Sequence, residues 1–178
     1  MPNFIVGARL HDYGKGTPDE LFGQVSADGF AAVQLAYKKC VPTVKSYADV
    51  TDALVAETVA AEKAHHIQVA VLGTYVELAI NDESRLCNVA DFKSQLAVCR
   101  ALGAGCIGTE TTAMSKQPAG TTRAQAQELL CRSLAEILPA AEALGVTVGI
   151  EPVTYHSMNS AAATRHLLDT MRSPNLKV

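Results

Sequence analysis

The sequence has no long apolar run, no paired cysteines, no excess of one charge and no low-complexity tract, and each absence removes a class of protein. None of its 178 residues falls in a segment approaching the roughly 18 apolar residues of a membrane span, so no membrane partner is expected. The five cysteines, Cys40, Cys87, Cys99, Cys106 and Cys131, are odd in number, scattered and never in CxxC spacing. That argues against a disulfide framework or a zinc knuckle and leaves reduced thiols in core or surface positions. Fifteen Lys and Arg against eighteen Asp and Glu leave a net charge of −3, too balanced for a nucleic-acid or anionic-membrane footprint. The stretch Met1-Pro2-Asn3-Phe4-Ile5-Val6-Gly7 lacks the basic start and apolar body of a leader, which makes the cytoplasm the expected compartment. There is no GxxxxGK[ST], HExxH or GxSxG, so phosphate-loop, zincin and serine-hydrolase readings have no motif to rest on.

What is present is a composition able to build a core: 48% hydrophobic, 19% charged, with a mean hydropathy of +0.12. At roughly 150 residues per domain, the chain reads as one domain over residues 1–178. Short apolar runs alternate with segments of helical period from end to end. Strands are expected at Phe4 to Leu10, Phe30 to Tyr37, Ile67 to Leu72, Cys106 to Thr109 and Val146 to Ile150, with a sixth opening at Leu176-Lys177-Val178. Between them, Thr17-Pro18-Asp19-Glu20 reads as a capping box with proline at the first helical position, carrying Leu21, Phe22 and Val25 inward. Further helices are expected from about Tyr47 to Ala64 (Val50, Leu54, Val55 and Val59 inward) and from Asp82 to Gly103 (Leu86, Val89, Phe92, Leu96 and Cys99 on one stripe). Two more run from about Arg123 to Leu144, closed by Gly145, and from Asn159-Ser160 to Pro174, with Leu167, Leu168 and Met171 inward. This is an α/β chain of parallel strands and right-handed crossovers. Periodicity leaves two architectures open: a flavodoxin-like open sheet, or the first part of a (β/α)8 barrel.

In either, ligands gather at the C-terminal ends of the strands. His11, Tyr75, Glu110 and Glu151 follow strands one, three, four and five, and His156 lies five residues after Glu151 in the same loop. Glu151 stands out, because a carboxylate continuing a Val/Ile-rich strand needs a metal, a cation or a raised pKa if it is buried. The bland alternatives are an acid that reaches solvent, or one held in an internal salt bridge. Glu110 has Thr109, Thr111 and Thr112 beside it as hydrogen-bond donors. Gly103-Ala104-Gly105-Cys106-Ile107-Gly108 matches GxGxxG but follows a helix and opens a strand, the reverse of a dinucleotide site. Gly103 therefore reads as a helix C-cap. His65-His66 closes a helix on the opposite face, and Arg165 and His166 read as surface residues.

Four stretches carry a family resemblance: Gly7-Ala8-Arg9-Leu10-His11-Asp12, Leu72-Gly73-Thr74-Tyr75, Leu102-Gly103-Ala104-Gly105 with Gly108-Thr109-Glu110-Thr111, and Gly149-Ile150-Glu151-Pro152-Val153. In this order they resemble the sugar phosphate isomerase/epimerase family with the xylose isomerase-like TIM barrel. The resemblance implies a (β/α)8 barrel of which this chain spans about five βα units and the start of strand six, and so a C-terminally incomplete domain. It implies Glu151 as a ligand of one divalent metal (Mn2+, Mg2+ or Co2+, or Zn2+) and as a proton-transferring glutamate acting through an enediolate. His11, Tyr75, Glu110 and His156, with Tyr155 beside them, are implied as contacts to a small sugar or sugar phosphate.

The Asp, His and second Glu of such a metal site belong to strands six to eight, so this stretch alone is not expected to catalyse. An exposed strand edge and apolar helix faces would favour self-association into a homo-oligomer. Three other readings stay open: a dehydratase on the same barrel, an endonuclease IV-like zinc enzyme, and a non-catalytic α/β binding or structural domain with Glu151 in a salt bridge.

Overall fold

A computed structural model describes residues 4–178; Met1, Pro2 and Asn3, which open the stretch read for a leader, lie outside the described residues. Six strands, β1 (Gly7–Arg9), β2 (Ala32–Leu35), β3 (Gln68–Gly73), β4 (Cys106–Glu110), β5 (Thr147–Glu151) and β6 (Leu176–Lys177), follow one another in the order of the sequence. The pairs β1–β2, β2–β3 and β5–β6 are parallel. Sequential order settles the choice that periodicity leaves open, because a doubly wound sheet reverses its strand order at a switch point whereas a barrel does not. Burial agrees. In β3 Val69 and Leu72 are buried while Gln68 and Ala70 are exposed, and in β5 Val148 and Ile150 are buried while Glu151 is exposed, so each strand has one covered face.

The helices are α1 (Pro18–Ala27), α2 (Tyr37–Cys40), α3 (Asp52–His65), α4 (Asp82–Ala101), α5 (Arg123–Leu144) and α6 (Ala161–Met171). The chain divides into two compact units: residues up to Gly73 with Val98–Cys106, and Thr74–Ala97 with Ile107–Val178.

In the first unit, α1 starts where the sequence places its capping box. Thr17 Oγ1 accepts from the Glu20 N–H at 3.3 Å and the Glu20 carboxylate accepts from the Thr17 N–H at 2.8 Å. Leu21, Phe22 and Val25 are buried, and α1 packs on α3 with His65 Nε2 set 2.8 Å from the Asp19 carboxylate. The first strand is shorter than expected: only Gly7–Arg9 pair with β2, Phe4, Ile5 and Val6 are exposed, and the buried Leu10 opens a 3-10 turn that runs to Tyr13. The second strand stops at Leu35 because Tyr37 begins α2 and sinks into the core, where its hydroxyl meets Thr58 Oγ1 at 2.8 Å. The helix expected from Tyr47 begins at Asp52 instead. A separate turn at Tyr47–Asp49 is closed by Ser46, and Thr51 then N-caps α3 through the Leu54 N–H. Val50 thus lies outside the helix, and Val55, Thr58 and Ala61 form its buried stripe. Gly103 takes φ +70° at the end of α4, a conformation that suits a glycine C-cap.

In the second unit, α5 is framed as its sequence requires. Thr122 and Gln125 form a capping box, Gly145 takes φ +66° at the C-terminus, and Leu130, Leu134, Ile137, Leu138 and Ala141 are buried. On α4, Val89, Phe92 and Leu96 are buried here, but Leu86 is 58% exposed. The first turn of the helix is held instead by Arg85, whose guanidinium is tied to Glu136 and Asp82. On α6 only Leu167 is fully buried, with Leu168 and Met171 half-buried. Arg165 and His166 are exposed as expected. Among the described residues none of the five cysteines is in a disulfide, and no helix is long and apolar enough to cross a membrane.

Candidate functional site

Glu110 and Glu151 are the last residues of β4 and β5, His11 and Tyr75 lie two residues past β1 and β3, and His156 lies in the loop five residues past β5. His11 belongs to the first unit; Tyr75, Glu110, Glu151 and His156 belong to the second. Glu151 is the last residue of β5 and is exposed, so the burial penalty that made it conspicuous in the sequence does not operate. The salt-bridge alternative fails as well: the Glu151 carboxylate has no ion pair or hydrogen bond among the described residues. Glu110 is half-buried at the end of β4, and the neighbouring threonines do not take up its carboxylate. Thr109 Oγ1 donates to the Glu110 backbone carbonyl at 3.2 Å, Thr112 Oγ1 accepts from the Ala79 N–H at 3.2 Å, and Thr111 Oγ1 is buried without a partner. Two strand-end carboxylates therefore project without internal counter-charges.

The loops around them are braced. The loop after β3 is tied to the loop after β4 by the Gln117 Nε2 donation to the Ala79 carbonyl (2.5 Å) and by the Lys116–Glu77 ion pair. Ser133 Oγ on α5 also donates to the Leu78 carbonyl at 2.5 Å. The loop after β5 is held from two sides. The Met114 N–H donates to the Tyr155 carbonyl (3.0 Å), the Ser157 N–H donates to the Thr112 carbonyl (3.1 Å), and Ala113 bridges His156. From α5, Arg123 donates to the His156 carbonyl and Gln127 Nε2 to the Ser157 carbonyl at 2.8 Å. Residues 123 and 127 are four apart and share a helix face, so one helix clamps two successive carbonyls. His156 is thereby fixed through its backbone, while its Nδ1 is buried with no hydrogen-bond partner. Tyr155 is 78% exposed. Neither Arg123 nor Gln127 is visible as a site residue in the sequence, because side-chain-to-carbonyl contacts across some thirty positions leave no periodic mark.

In the first unit, His11 sits in the 3-10 turn after β1, half-buried, with Nδ1 shielded and unpartnered. Burial, and then the nearby Lys39 and Arg9 cations, hold its pKa below the ordinary histidine value, so the ring favours its neutral form.

Glu151 offers one hard oxygen donor of the kind a divalent cation takes. Among the described residues no group of three His, Cys, Asp or Glu side chains converges to hold a metal, so the chain does not fit one unaided.

Residues 22–178 match a family model described as the xylose isomerase-like TIM barrel. No curated protein matches the chain. Among solved structures, 3-keto-D-glucoside 4-epimerase from E. coli superposes with a TM-score of 0.78 at 15% identity, covering 98% of this chain and 66% of that one. D-psicose 3-epimerase, crystallised in the presence of D-fructose, gives 0.76 at 18% identity over 97% and 62%. A xylose isomerase-like TIM barrel protein from Mycobacterium smegmatis, in complex with magnesium, gives 0.76 at 14% over 98% and 63%. At these identities the likeness shows the fold, and the chain spans about three-fifths to two-thirds of the length of these structures.

Proposed function

The chain belongs to the xylose isomerase-like TIM barrel family, and from that premise we propose that the whole protein isomerises or epimerises a sugar or sugar phosphate by moving a proton between or at adjacent carbons. The observation that carries this reading is the Glu151 carboxylate, exposed and unpaired at the C-terminal end of β5. A carboxylate there takes the proton from the carbon beside the substrate carbonyl and returns it to the neighbouring carbon on the same face, while inversion at a single carbon has Glu151 act on one face and the second glutamate of the pair, outside this stretch, supply the proton on the other. His11, Tyr75, Glu110 and His156 are assigned to the substrate's hydroxyl and carbonyl oxygens. His156 has a backbone fixed for that task, and neutral His11 hydrogen-bonds without adding charge.

A divalent cation enters the proposal only as a group of the whole protein to which Glu151 gives one oxygen. The compartment proposed is the cytoplasm. The domain proposed is a single barrel that includes all 178 residues.

The test is proton exchange. The whole protein, incubated in D2O with divalent metal and a panel of ketoses, aldoses and their phosphates, is expected to introduce deuterium at the carbon next to the carbonyl of at least one of them, seen by NMR. No exchange with any member of the panel by a folded protein would overturn the reading.

A further inference from the structure

In the loop after β5 every carbonyl from Tyr155 to Met158 accepts a hydrogen bond, but the donors are of two kinds. The Met114 N–H donates to the Tyr155 carbonyl at 3.0 Å and the Val153 N–H to the Met158 carbonyl at 3.1 Å. Between them, the His156 and Ser157 carbonyls are held by the Arg123 and Gln127 side chains of α5. Backbone donors close the two ends of this run and persist whatever side chains surround them. Its middle, where His156 sits, depends on two side chains of one helix.

Arg123 stands where helix physics disfavours it. It is the first residue of α5, in the turn where unpaired N–H groups and the helix dipole favour an acid and oppose a cation. The helices α1, α3 and α4 follow that rule with Asp19 and Glu20, with Asp52, and with Asp82 and Glu83, whereas the first turn of α5 holds no acid. Nor does Arg123 gain an ion pair in exchange: among the described residues it has none, and its partner is the His156 carbonyl. A cation at this place serves the loop and not the helix that carries it.

We propose that Arg123, seconded by Gln127, is a positioning residue for substrate binding: through the His156 carbonyl it fixes the part of the β5 loop that meets the sugar. This deepens the sugar-converting reading and rests on it, since that reading gives Glu151 the chemistry and His156 a substrate contact. A contact is effective only while its geometry is held, so loosening the middle of the loop weakens the grip on the substrate. Glu151, which ends β5 ahead of the clamped residues, keeps its place for proton transfer.

The experiment compares variants of the whole protein, well below the melting temperature, by steady-state kinetics on the responding sugar and by NMR of the His156 ring without sugar. Arg123→Ala is expected to raise KM about tenfold and to change kcat by less than about twofold, the pattern of binding lost equally from ground and transition states. Gln127→Ala, which releases only the Ser157 carbonyl, is expected to raise KM about threefold. Arg123→Lys keeps a donor for the carbonyl and is expected to return KM to within about threefold of the parent. Arg132→Ala, on the same helix, breaks the ion pair to Asp82 but no hydrogen bond to the loop, and is expected to leave KM unchanged. In a His156→Ala background, Arg123→Ala should have little further effect, because both changes remove one interaction. An unchanged KM in Arg123→Ala, an equal rise in Arg132→Ala, or fully additive effects with His156→Ala would overturn the proposal. The ring signals separate it from the reading on which it rests. They are expected to shift or broaden in Arg123→Ala; if they do so in a protein that converts no sugar, the clamp stands and the isomerase reading falls. Ring signals identical to the parent's would overturn the clamp's role whether or not a sugar responds.

Discussion

The two compact units use their polar side chains in opposite ways. In the first, most of those that reach inward find a partner within the unit: Tyr37 meets Thr58, Thr58 donates to the Leu54 carbonyl at 2.8 Å, Glu62 accepts from the Val69 N–H at 2.7 Å, and His65 meets Asp19. In the second, polar side chains brace the loops and tie Arg85 to Glu136 and Asp82, while Glu110, Glu151 and the His156 Nδ1 have no partner among the described residues. Buried polar groups ordinarily find partners, so the buried His156 Nδ1 stands out, whereas the exposed Glu151 carboxylate is free to be solvated. His11 is the exception that links the two patterns. It lies in the otherwise self-satisfied unit, and its Nδ1 is unpartnered.

This contrast can be tested by removing groups of each kind. The largest effect on stability is expected from the loop clamp. Arg123→Ala with Gln127→Ala leaves the His156 and Ser157 carbonyls unpaired, and should cost about 2 to 3 kcal/mol in chemical denaturation. Amide exchange should quicken in residues 152–158 and stay unchanged in α1 and α3. Equal loosening of both units would mean that the clamp is general packing. Tyr37→Phe should cost about 1 kcal/mol, the usual net worth of one hydrogen bond, with no effect on ligand binding. Glu110→Gln, which removes a charge that no neighbour uses, should change the melting behaviour by less than about 0.5 kcal/mol. A larger loss would show that Glu110 has a structural partner after all.

The smallest effect concerns pH. Burial of Glu62 raises its pKa above the ordinary glutamate value, and the hydrogen bond from the Val69 N–H opposes this only in part. The folded chain therefore holds this proton to a higher pH than the unfolded chain does. The associated stability is present below the unfolded pKa and lost as pH rises through the folded one. Melting curves recorded upward from pH 4.5 should show a small decline that Glu62→Gln flattens. A steeper decline in the variant would reverse the assigned sign.

Where the sequence carries a local signal, structure follows it. Thr17 to Glu20 makes both bonds of its capping box, Gly145 closes α5, and each strand-end polar residue lands where strand position places it. The expectation fails where tertiary contacts override period. Leu86 fits the α4 stripe, but the first turn of that helix is anchored by Arg85, and Leu86 faces solvent. Val50 fits the α3 stripe, but Thr51 is the better cap and starts the helix after it. Glu151 stands out in the sequence as an acid that burial would penalise, and in the structure as an exposed acid with no protein partner among the described residues. The clamp from α5 was not legible at all. Arg and Gln on a helix are ordinary surface residues until the loop they hold is known.

The most direct measurement is on Glu151→Gln in the whole protein, with solvent-deuterium exchange into the responding sugar and thermal melting recorded on the same sample. The expected result is a fall in exchange of about 10²- to 10⁴-fold, the range for loss of a general base, with the melting temperature unchanged because the carboxylate contributes no internal contact. Exchange retained at the parent rate, or a melting temperature that falls together with the rate, would contradict the assignment of Glu151 to chemistry rather than to the fold.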